Sequence, residues 1–244
     1  MPSGAGTVRS IVRMVAVVGE PTLTPERAGR VYDRIGRVQD WQSFYESPAV
    51  DDLMAHADFE HARRVFELGC GTGSFARTLL DDVLPDDATY SGVDVSSKMV
   101  QLASDRLRGF GDRADVHRVD GRPPFPGESG RFDRFVAIYV FDLLSETLAR
   151  QMLDEARRLL DGGGRLCLVS LTHGTTFPSR VLCSLWNRAW KVTPALVGGC
   201  RPIDLDSLLD EWEIDHATVV TAWAVPSQII VAGPPGGPNP LTHP

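Results

Sequence analysis

The chain has 244 residues, of which 43% are hydrophobic and 23% are charged, as in an ordinary globular protein. This length can bury a substantial core, and a single α/β domain is a comfortable size for it. The net charge of -7 argues against binding to the nucleic-acid backbone, because proteins of that class usually present a basic face. The negative net charge still leaves open a local basic patch on the surface.

The four cysteines are widely scattered and form no C-x-x-C pair, so the sequence predicts free thiols in a cytoplasmic protein and no metal site. The apolar stretch 11–18 is interrupted by Arg13 and is too short to span a membrane. Residues 1–23 are therefore predicted to be a flexible leader without a transmembrane segment. Residues 233–244, dominated by glycine and proline, are predicted to be a disordered tail.

Between these ends, residues 24–60 are predicted to form a helical cover. Thr24 followed by Pro25 is typical of a helix start, and apolar residues then recur at helical spacing as far as Trp41. A second helix is predicted to follow Pro48, with an apolar side that packs on the body of the protein.

From Arg64 onward, strands alternate with helices. The predicted strands cover 65–68, 90–94, 116–120, 132–141 and 165–171. Helices are predicted to begin at Ser74, after Ser96 and after Ser145, the last one stopping at the glycines 162–164. Such repeated units predict a parallel sheet with helices on both faces.

The pattern changes near the end of the chain. After an insertion at 173–203, Asp204 is predicted to cap a further helix. Strands at 217–224 and 228–232 follow closely. Their short link, 225–227, predicts an antiparallel hairpin, because a parallel crossover needs many more residues.

Three glycines, Gly69, Gly71 and Gly73, alternate directly after the first strand and open a helix. Glycine there lets the backbone approach a ligand closely and take positive φ, and the helix N-terminus offers unpaired N–H groups. Asp94 ends the second strand about twenty residues later, where an acid accepts hydrogen bonds from ribose hydroxyls in nucleotide-type sites. The loop alone would also suit a turn that binds nothing, but its combination with Asp94 favours a ligand site.

The stretch 67–73, with the sequence Glu-Leu-Gly-Cys-Gly-Thr-Gly, resembles the first motif of the class I S-adenosylmethionine (SAM)-dependent methyltransferases, G-x-G-x-G. Nicotinamide-binding folds instead use G-x-G-x-x-G, so a nicotinamide-dependent oxidoreductase is disfavoured. The resemblance continues through 92–99, 119–121 and 132–133. It implies one α/β domain at 24–232, with a Rossmann-like, seven-stranded, mostly parallel sheet, a C-terminal antiparallel hairpin and helices on both faces.

The resemblance also implies SAM as cofactor and S-adenosylhomocysteine as product. By that resemblance, Glu67 would orient the methionine amino group, Asp94 would hold the ribose diol and Asp120 would accept from the adenine amino group. Val95 and Met99 would pack near the adenine. The implied cofactor-binding residues are Glu67, Gly69, Cys70, Gly71, Gly73, Asp94, Val95, Met99, Asp120, Gly121, Tyr139 and Tyr32.

Tyr32 begins a short segment, 32–35, that partly resembles the opening of the ubiquinone/menaquinone-type methyltransferases. Within the superfamily, these small-molecule enzymes are therefore the nearest resemblance. Tyr32 would contact the SAM carboxylate or pack the helical cover, and the two interpretations stay open.

The sequence defines the acceptor side less well. Methyl transfer needs a base only if the acceptor must lose a proton. Asp142 and His173 follow the fourth and fifth strands, where such sheets bind ligands, so each is a candidate catalytic residue, although each also suits a plain loop position. No Asn/Asp-Pro-Pro-Tyr/Phe stretch follows the fourth strand, which favours a small-molecule or lipid acceptor over nucleic acid.

Residues 175–202 are the predicted substrate cover, since they carry Trp186, Trp190 and other large apolar residues. They favour an apolar metabolite, quinone or lipid as acceptor, although they would equally serve to pack a lid or to rest on a membrane surface. The predicted function is SAM-dependent methyl transfer, with a non-catalytic SAM-binding regulatory protein as the alternative. The oligomeric state, monomer or homodimer, stays open.

Overall fold

The computed structural model describes residues 43–172, 203, 205–222 and 225–236. The predicted leader, the first part of the helical cover, the insertion as far as residue 202 and the end of the tail lie outside these residues. Within the described ranges, none of the helices is long and apolar enough to span a lipid bilayer.

Seven strands form one mixed sheet. They are β1 (Arg64–Leu68), β2 (Thr89–Asp94), β3 (Ala114–Arg118), β4 (Phe132–Ile138), β5 (Leu160–Leu171), β6 (Glu213–Ala222) and β7 (Val225–Gly233). Their order is β3-β2-β1-β4-β5-β7-β6, in which β1 to β5 are parallel and β7 is antiparallel to both β5 and β6. The predicted Rossmann-like sheet with a reversed C-terminal hairpin is confirmed.

Four α-helices of the described residues pack against the sheet. They are α1 (Ser43–His56), α2 (Ser74–Thr78), α3 (Ser97–Leu107) and α4 (Glu146–Leu159). A π-helical turn, Leu79–Val83, continues α2, and short 3-10 helices lie at Phe59–His61, Arg108–Arg113, Phe141–Leu143 and Asp206–Leu208. The predicted caps are confirmed, because the Ser96 and Ser145 side chains accept hydrogen bonds from the first turns of α3 and α4.

The sheet separates two apolar cores because neighbouring residues of a strand point to opposite faces. Phe66 and Leu68 in β1 belong to the core that the sheet shares with α4. Val65 belongs to the core on the other face, shared with α1, α2 and α3. Helices thus cover both faces, and in sheets of this kind ligands bind at the carboxyl ends of the strands.

The helix expected to begin after Pro48 begins earlier, since α1 spans Ser43–His56 and contains this proline. A proline has no N–H to donate within a helix, which is why the sequence indicated a boundary there. The lost bond is offset by packing, because Ala49 and Leu53 on α1 are at most 1% exposed against the sheet.

The predicted bounds of β3 and β4 were also wrong. Strand β3 ends at Arg118, two residues before Asp120, so that acid lies in the loop beyond the strand. Strand β4 ends at Ile138 because Tyr139 takes a φ of 53° and a 3-10 turn follows. An apolar run predicts burial, but it does not distinguish a buried strand from a buried turn.

The glycines 162–164 lie inside β5 and do not end a helix. Helix α4 already stops at Leu159, and β5 begins at Leu160. The register against β4 then shifts between Phe132 and Arg134, so the glycines occupy an irregular part of the strand.

The C-terminal elements also differ from their predicted bounds. The helix expected from Asp204 is reduced to the 3-10 turn Asp206–Leu208, and residues 209–212 form a turn before β6 begins at Glu213. Both hairpin strands are longer than predicted, and the expected link, 225–227, is the start of β7, where Ala222 pairs with Val225.

Candidate functional site

The glycine loop, residues 69–73, leaves the carboxyl end of β1 and enters α2. Gly69, Gly71 and Gly73 have φ values of 75°, 53° and 73°, in a backbone region that other residues rarely adopt. A Cβ added to Gly69 would lie 2.5 Å from Val140 Cγ2. The loop therefore passes directly against the end of β4, at a distance that only glycine allows.

Bonds within the protein fix the loop to the end of β2. The N–H groups of Gly69 and Cys70 both donate to the carbonyl of Val93, at 2.8 Å and 3.0 Å. Arg106 on α3 donates to Thr72 Oγ1 at 2.7 Å. Because bonds within the protein hold the loop in shape, a ligand meets a preformed surface, and less conformational entropy is lost when it binds.

Asp94, the last residue of β2, joins this loop to the start of α3. Its Oδ2 accepts from the N–H of Gly71 at 3.0 Å, and its Oδ1 accepts from the N–H of Ser96 at 2.8 Å. The side chain is partly exposed, and each carboxylate oxygen can accept more than one hydrogen bond. The carboxylate is thus oriented before any ligand arrives, as binding of a ribose diol requires.

Glu67 in β1 is only 3% exposed and pairs across the strands with Gly92. The Tyr90 ring extends over Gly92, where a Cβ would lie 2.6 Å from the Tyr90 hydroxyl, and that hydroxyl donates to Glu67 Oε2 at 2.5 Å. Burial raises the pKa of Glu67 to about 8, outweighing the opposite effect of this hydrogen bond. Glu67 is therefore mostly protonated at neutral pH, and its contact with the methionine amino group stays a prediction.

Cys70 lies inside the loop and is 5% exposed. Burial, together with the nearby Glu67 and Asp94 carboxyl groups, raises the pKa of its thiol well above the usual value. Because the thiolate is the reactive form, burial and a raised pKa favour a packing role for Cys70 in the loop over a reactive one.

Asp120 and Gly121 follow β3 at the same edge of the sheet as Asp94. The N–H of Val119 donates to the Asp94 carbonyl at 3.0 Å, which ties the two loops together. Asp120 is exposed, while Gly121 is buried with a φ of 80°. The structure thus brings the two predicted acids to neighbouring strand ends beside the glycine loop.

Val95 and Met99 differ in their surroundings. Val95 is partly buried directly after the ribose-binding candidate, Asp94. Met99 is 1% exposed, inside the protein on α3. The adenine contacts of both residues stay predictions, and the partly buried Val95 is the more accessible of the two.

Tyr139 extends away from the glycine loop. Its hydroxyl lies 2.8 Å from Ser227 Oγ on β7, two strands along the sheet from β4. The next residue, Val140, is the one that contacts Gly69. The cofactor contact of Tyr139 stays a prediction. Its hydroxyl lies near the carboxyl end of β5, because Ser227 pairs with Leu171, the last residue of that strand.

Asp142 is fully buried, and its Oδ1 accepts from Ser170 Oγ at 3.1 Å. Ser170 in β5 is also fully buried, so this bond links the turn after β4 to β5. A general base must come within hydrogen-bond distance of the proton it removes. A catalytic role for Asp142 stays a prediction and would require the acceptor to reach below the surface.

The other predicted site residues, Tyr32 and His173, lie outside the described residues, as does the apolar cover at 175–202. Their roles stay predictions. Sequence reasoning also missed Tyr90. This residue lies two positions before Gly92 on the same face of β2, and its side chain therefore reaches Glu67, the residue opposite Gly92. That alternation was visible in the sequence, but the register that places Glu67 opposite Gly92 was not.

These groups fit SAM in type and position. SAM carries a ribose diol and an adenine amino group, both hydrogen-bond donors, and the site offers the accessible carboxylates of Asp94 and Asp120. The glycine loop between them brings backbone, and no side chain, to the surface at Gly69 and Gly71. When SAM is bound, Asp94 would hold the ribose and Asp120 the adenine.

Comparison with known proteins supports this assignment. Residues 65–164 match a family model described as a methyltransferase domain. The chain is 29% identical over 178 residues to the hybrid PKS-NRPS synthetase tasS of Hapsidospora irregularis, across 67% of this chain and 4% of that protein. It is 33% identical over 113 residues to the demethylmenaquinone methyltransferase of Tropheryma whipplei strain Twist, across 46% of this chain and 44% of that protein. The chain thus spans less than half the length of either relative.

A solved structure shares the fold as well. The cyclase SpnF superposes with a TM-score of 0.67 at 18% identity, covering 90% of this chain and 100% of that chain. At this identity the likeness concerns the fold alone. The match of residues 65–164 to a methyltransferase domain and the likeness to a demethylmenaquinone methyltransferase, together with the glycine loop beside Asp94, support a class I SAM-dependent methyltransferase near the quinone-type members, with SAM as the cofactor.

Proposed function

We propose that this chain transfers the methyl group of SAM to a small, apolar acceptor: a metabolite, a quinone or a lipid. The observation that carries the proposal is the Asp94 carboxylate, oriented by the N–H groups of Gly71 and Ser96 and partly exposed beside the glycine loop. A carboxylate placed in this way can hold a ribose diol without further rearrangement. The reactive end of the cofactor would then lie toward β4 and β5.

SAM supplies, when bound, a methyl group that its sulfonium centre already activates. The contribution of the protein is to hold donor and acceptor in line, which can provide much of the rate. Asp94 and Asp120 would fix the nucleoside, the glycine loop would support the methionine, and Glu67 would orient the amino group. Asp142 and His173 are the proposed bases for an acceptor that must lose a proton.

Two observations support an apolar acceptor. The relative from Tropheryma whipplei is, by its name, a demethylmenaquinone methyltransferase, which indicates a quinone as one candidate. The sequence at 175–202 carries aromatic and aliphatic residues that would cover such a molecule. The hydroxyls of Tyr139 and Ser227 would provide polar contacts at the same end of the sheet.

A second candidate function is a protein that uses the fold without methyl transfer. The structural neighbour SpnF is named as a cyclase, so the shared fold does not by itself require a methyltransferase reaction. SAM binding and methyl transfer must therefore be measured separately.

The test is to incubate the purified protein with methyl-labelled SAM and a panel of quinones, phenols, prenyl compounds and lipids. We expect S-adenosylhomocysteine and label in at least one acceptor, both lost in Asp94→Ala. The control is Asp115→Asn, at an exposed acid on the neighbouring strand β3. Tight SAM binding with no product from any acceptor would favour the non-catalytic alternative.

A further inference from the structure

We propose that Asp52, His56 and His216 form a binding site for a divalent transition metal such as Zn²⁺. The three residues join the last turns of α1 to β6, the edge strand of the sheet, and they are separate from the glycine loop. Each offers one ligand atom, and the three atoms lie within 4.8 Å of one another.

The fold brings the three residues together in two ways. Asp52 and His56 are four residues apart on α1 and therefore share one side of the helix. On β6, the register against β7 shifts between Ile214 and His216, so Asp215 is an extra residue in the strand. Such a bulge changes the direction of the side chain that follows, and here His216 points to α1.

A salt bridge holds this bulge in place. The Asp215 carboxylate lies 2.5 Å from Arg165 Nε, and the Arg165 side chain is only 10% exposed. The bulge residue Asp215 is thus anchored to β5.

The distances are close to those of a tetrahedral site. Asp52 Oδ1 lies 2.8 Å from His216 Nε2 and 3.6 Å from His56 Nδ1. With metal–ligand bonds of about 2.0–2.1 Å, the ligand atoms of a tetrahedral Zn²⁺ site are roughly 3.3 Å apart, between these two values. Small side-chain movements would therefore place three ligands around one ion, with water in the fourth position.

The two imidazole rings must turn to do so. They are now stacked, with centroids 3.6 Å apart and planes 5° from parallel, and His56 Nδ1 lies 2.8 Å from the Asp52 carbonyl. The His56 side chain is 43% exposed and can rotate, while those of Asp52 and His216 are 25% and 21% exposed. An ion can thus reach the site from solvent and keep its water ligand.

The ligand types also select the ion. Two imidazoles and one carboxylate favour Zn²⁺, Co²⁺ or Ni²⁺ over Mg²⁺ or Ca²⁺, which prefer oxygen ligands. A second cluster, Asp58, Glu60 and His61, provides the contrast. Its side chains are 56%, 76% and 74% exposed, it has one imidazole, and its residues are close in sequence, so an ion there would join no distant elements.

Metal binding at the proposed site would connect residues 164 positions apart in sequence. Because an ion that binds the folded state alone stabilises it, α1 would be held more firmly on the sheet. The bound ion would therefore stabilise the packing of α1 against β6.

The experiment uses the full chain without a histidine tag, freed of metal with a chelator that is then removed. Zn²⁺ uptake is measured against a chromophoric chelator, and thermal unfolding is followed with and without Zn²⁺. We expect one equivalent of Zn²⁺ and a higher Tm in wild type and in His61→Ala, with both lost in His216→Ala and in His56→Ala.

Two further readouts keep the test decisive. Circular dichroism of the metal-free variants shows whether they are folded, and exposed His56 is the safer substitution if His216→Ala is unstable. The Co²⁺ spectrum distinguishes imidazole and carboxylate ligands from cysteine thiolates by the absence of sulfur charge-transfer bands. No Zn²⁺ uptake by wild type, uptake that survives in folded His56→Ala, or a thiolate spectrum would each overturn the proposal.

Discussion

The Tyr90 hydroxyl donates a hydrogen bond to Glu67 Oε2 across 2.5 Å, in the interior beside the glycine loop. The contact crosses from β2 to β1 and depends on Gly92, which lies opposite Glu67 and leaves room for the Tyr90 ring. It gives Glu67 a partner in the free protein while keeping its carboxyl group out of water. The first acid of the glycine motif is thus both a buried structural group and a candidate ligand for the cofactor.

The raised pKa of Glu67 predicts a pH-dependent stability. The unfolded chain loses this proton near 4.5, whereas the folded protein keeps it to about 8. The folded state therefore binds more protons between these values, and the contribution of Glu67 to stability falls as pH rises through that window. We expect Glu67→Gln, which can still accept from Tyr90, to flatten the dependence of Tm on pH between 5 and 8. Parallel curves for variant and wild type would contradict this.

The same pKa predicts proton release when SAM binds. If Glu67 accepts a hydrogen bond from the SAM ammonium group, the positive charge favours its ionised form and a proton leaves the protein. Calorimetry at pH 7 in two buffers with different ionisation enthalpies should show this release in wild type. Glu67→Gln should bind SAM without it. Equal proton release by both proteins would assign the effect to another group.

The packing of Tyr90 over Gly92 predicts a specific double-variant result. In Gly92→Ala the new Cβ would lie 2.6 Å from the Tyr90 hydroxyl, so we expect about 1–3 kcal/mol less unfolding free energy. Tyr90→Phe removes that hydroxyl, and the double variant should lose less than the sum of the single changes. Urea unfolding of the four proteins measures this coupling, and strict additivity would show that the two residues do not interact.

Gly69→Ala is expected to damage the loop in two ways. The residue has a φ of 75°, and its new Cβ would lie 2.5 Å from Val140 Cγ2. Gly130→Ala is the matched control, because Gly130 also has a positive φ of 67° but open space around it. Urea unfolding should show the larger loss in Gly69→Ala, with part of it recovered when Val140→Ala is added. Equal losses of unfolding free energy in the two alanine variants would show that backbone strain alone causes the loss and that the contact with Val140 contributes nothing.

Features that depend on a short motif or on a periodic pattern could be predicted from the sequence. The glycine loop, Asp94 and the mostly parallel sheet with its C-terminal antiparallel hairpin could be predicted, because a short motif, the alternation of strands and helices and a short link determine them. Element ends were predicted less well where packing overrides local preference, as at Pro48 in α1 and at the glycines inside β5. In both places tertiary contacts keep residues in elements that their own preferences oppose.

Features that depend on pairing between distant segments could not be predicted. The Tyr90–Glu67 bond requires the register of β1 and β2, and the contact of the Tyr139 hydroxyl with Ser227 requires β7 to pair with β5. The meeting of Asp52 with His216 requires both the docking of α1 and a bulge in β6, which is why the sequence predicted no metal site. None of these relationships leaves a short-range pattern in the chain.

Calorimetric titration of SAM into the wild-type protein and into Asp94→Ala tests the central claim most directly. We expect micromolar binding of one SAM per chain to wild type and to the control Asp115→Asn, and loss of binding in a folded Asp94→Ala, because the oriented carboxylate of Asp94 would hold the ribose. Absence of SAM binding to wild type, or undiminished binding to Asp94→Ala, would contradict the account.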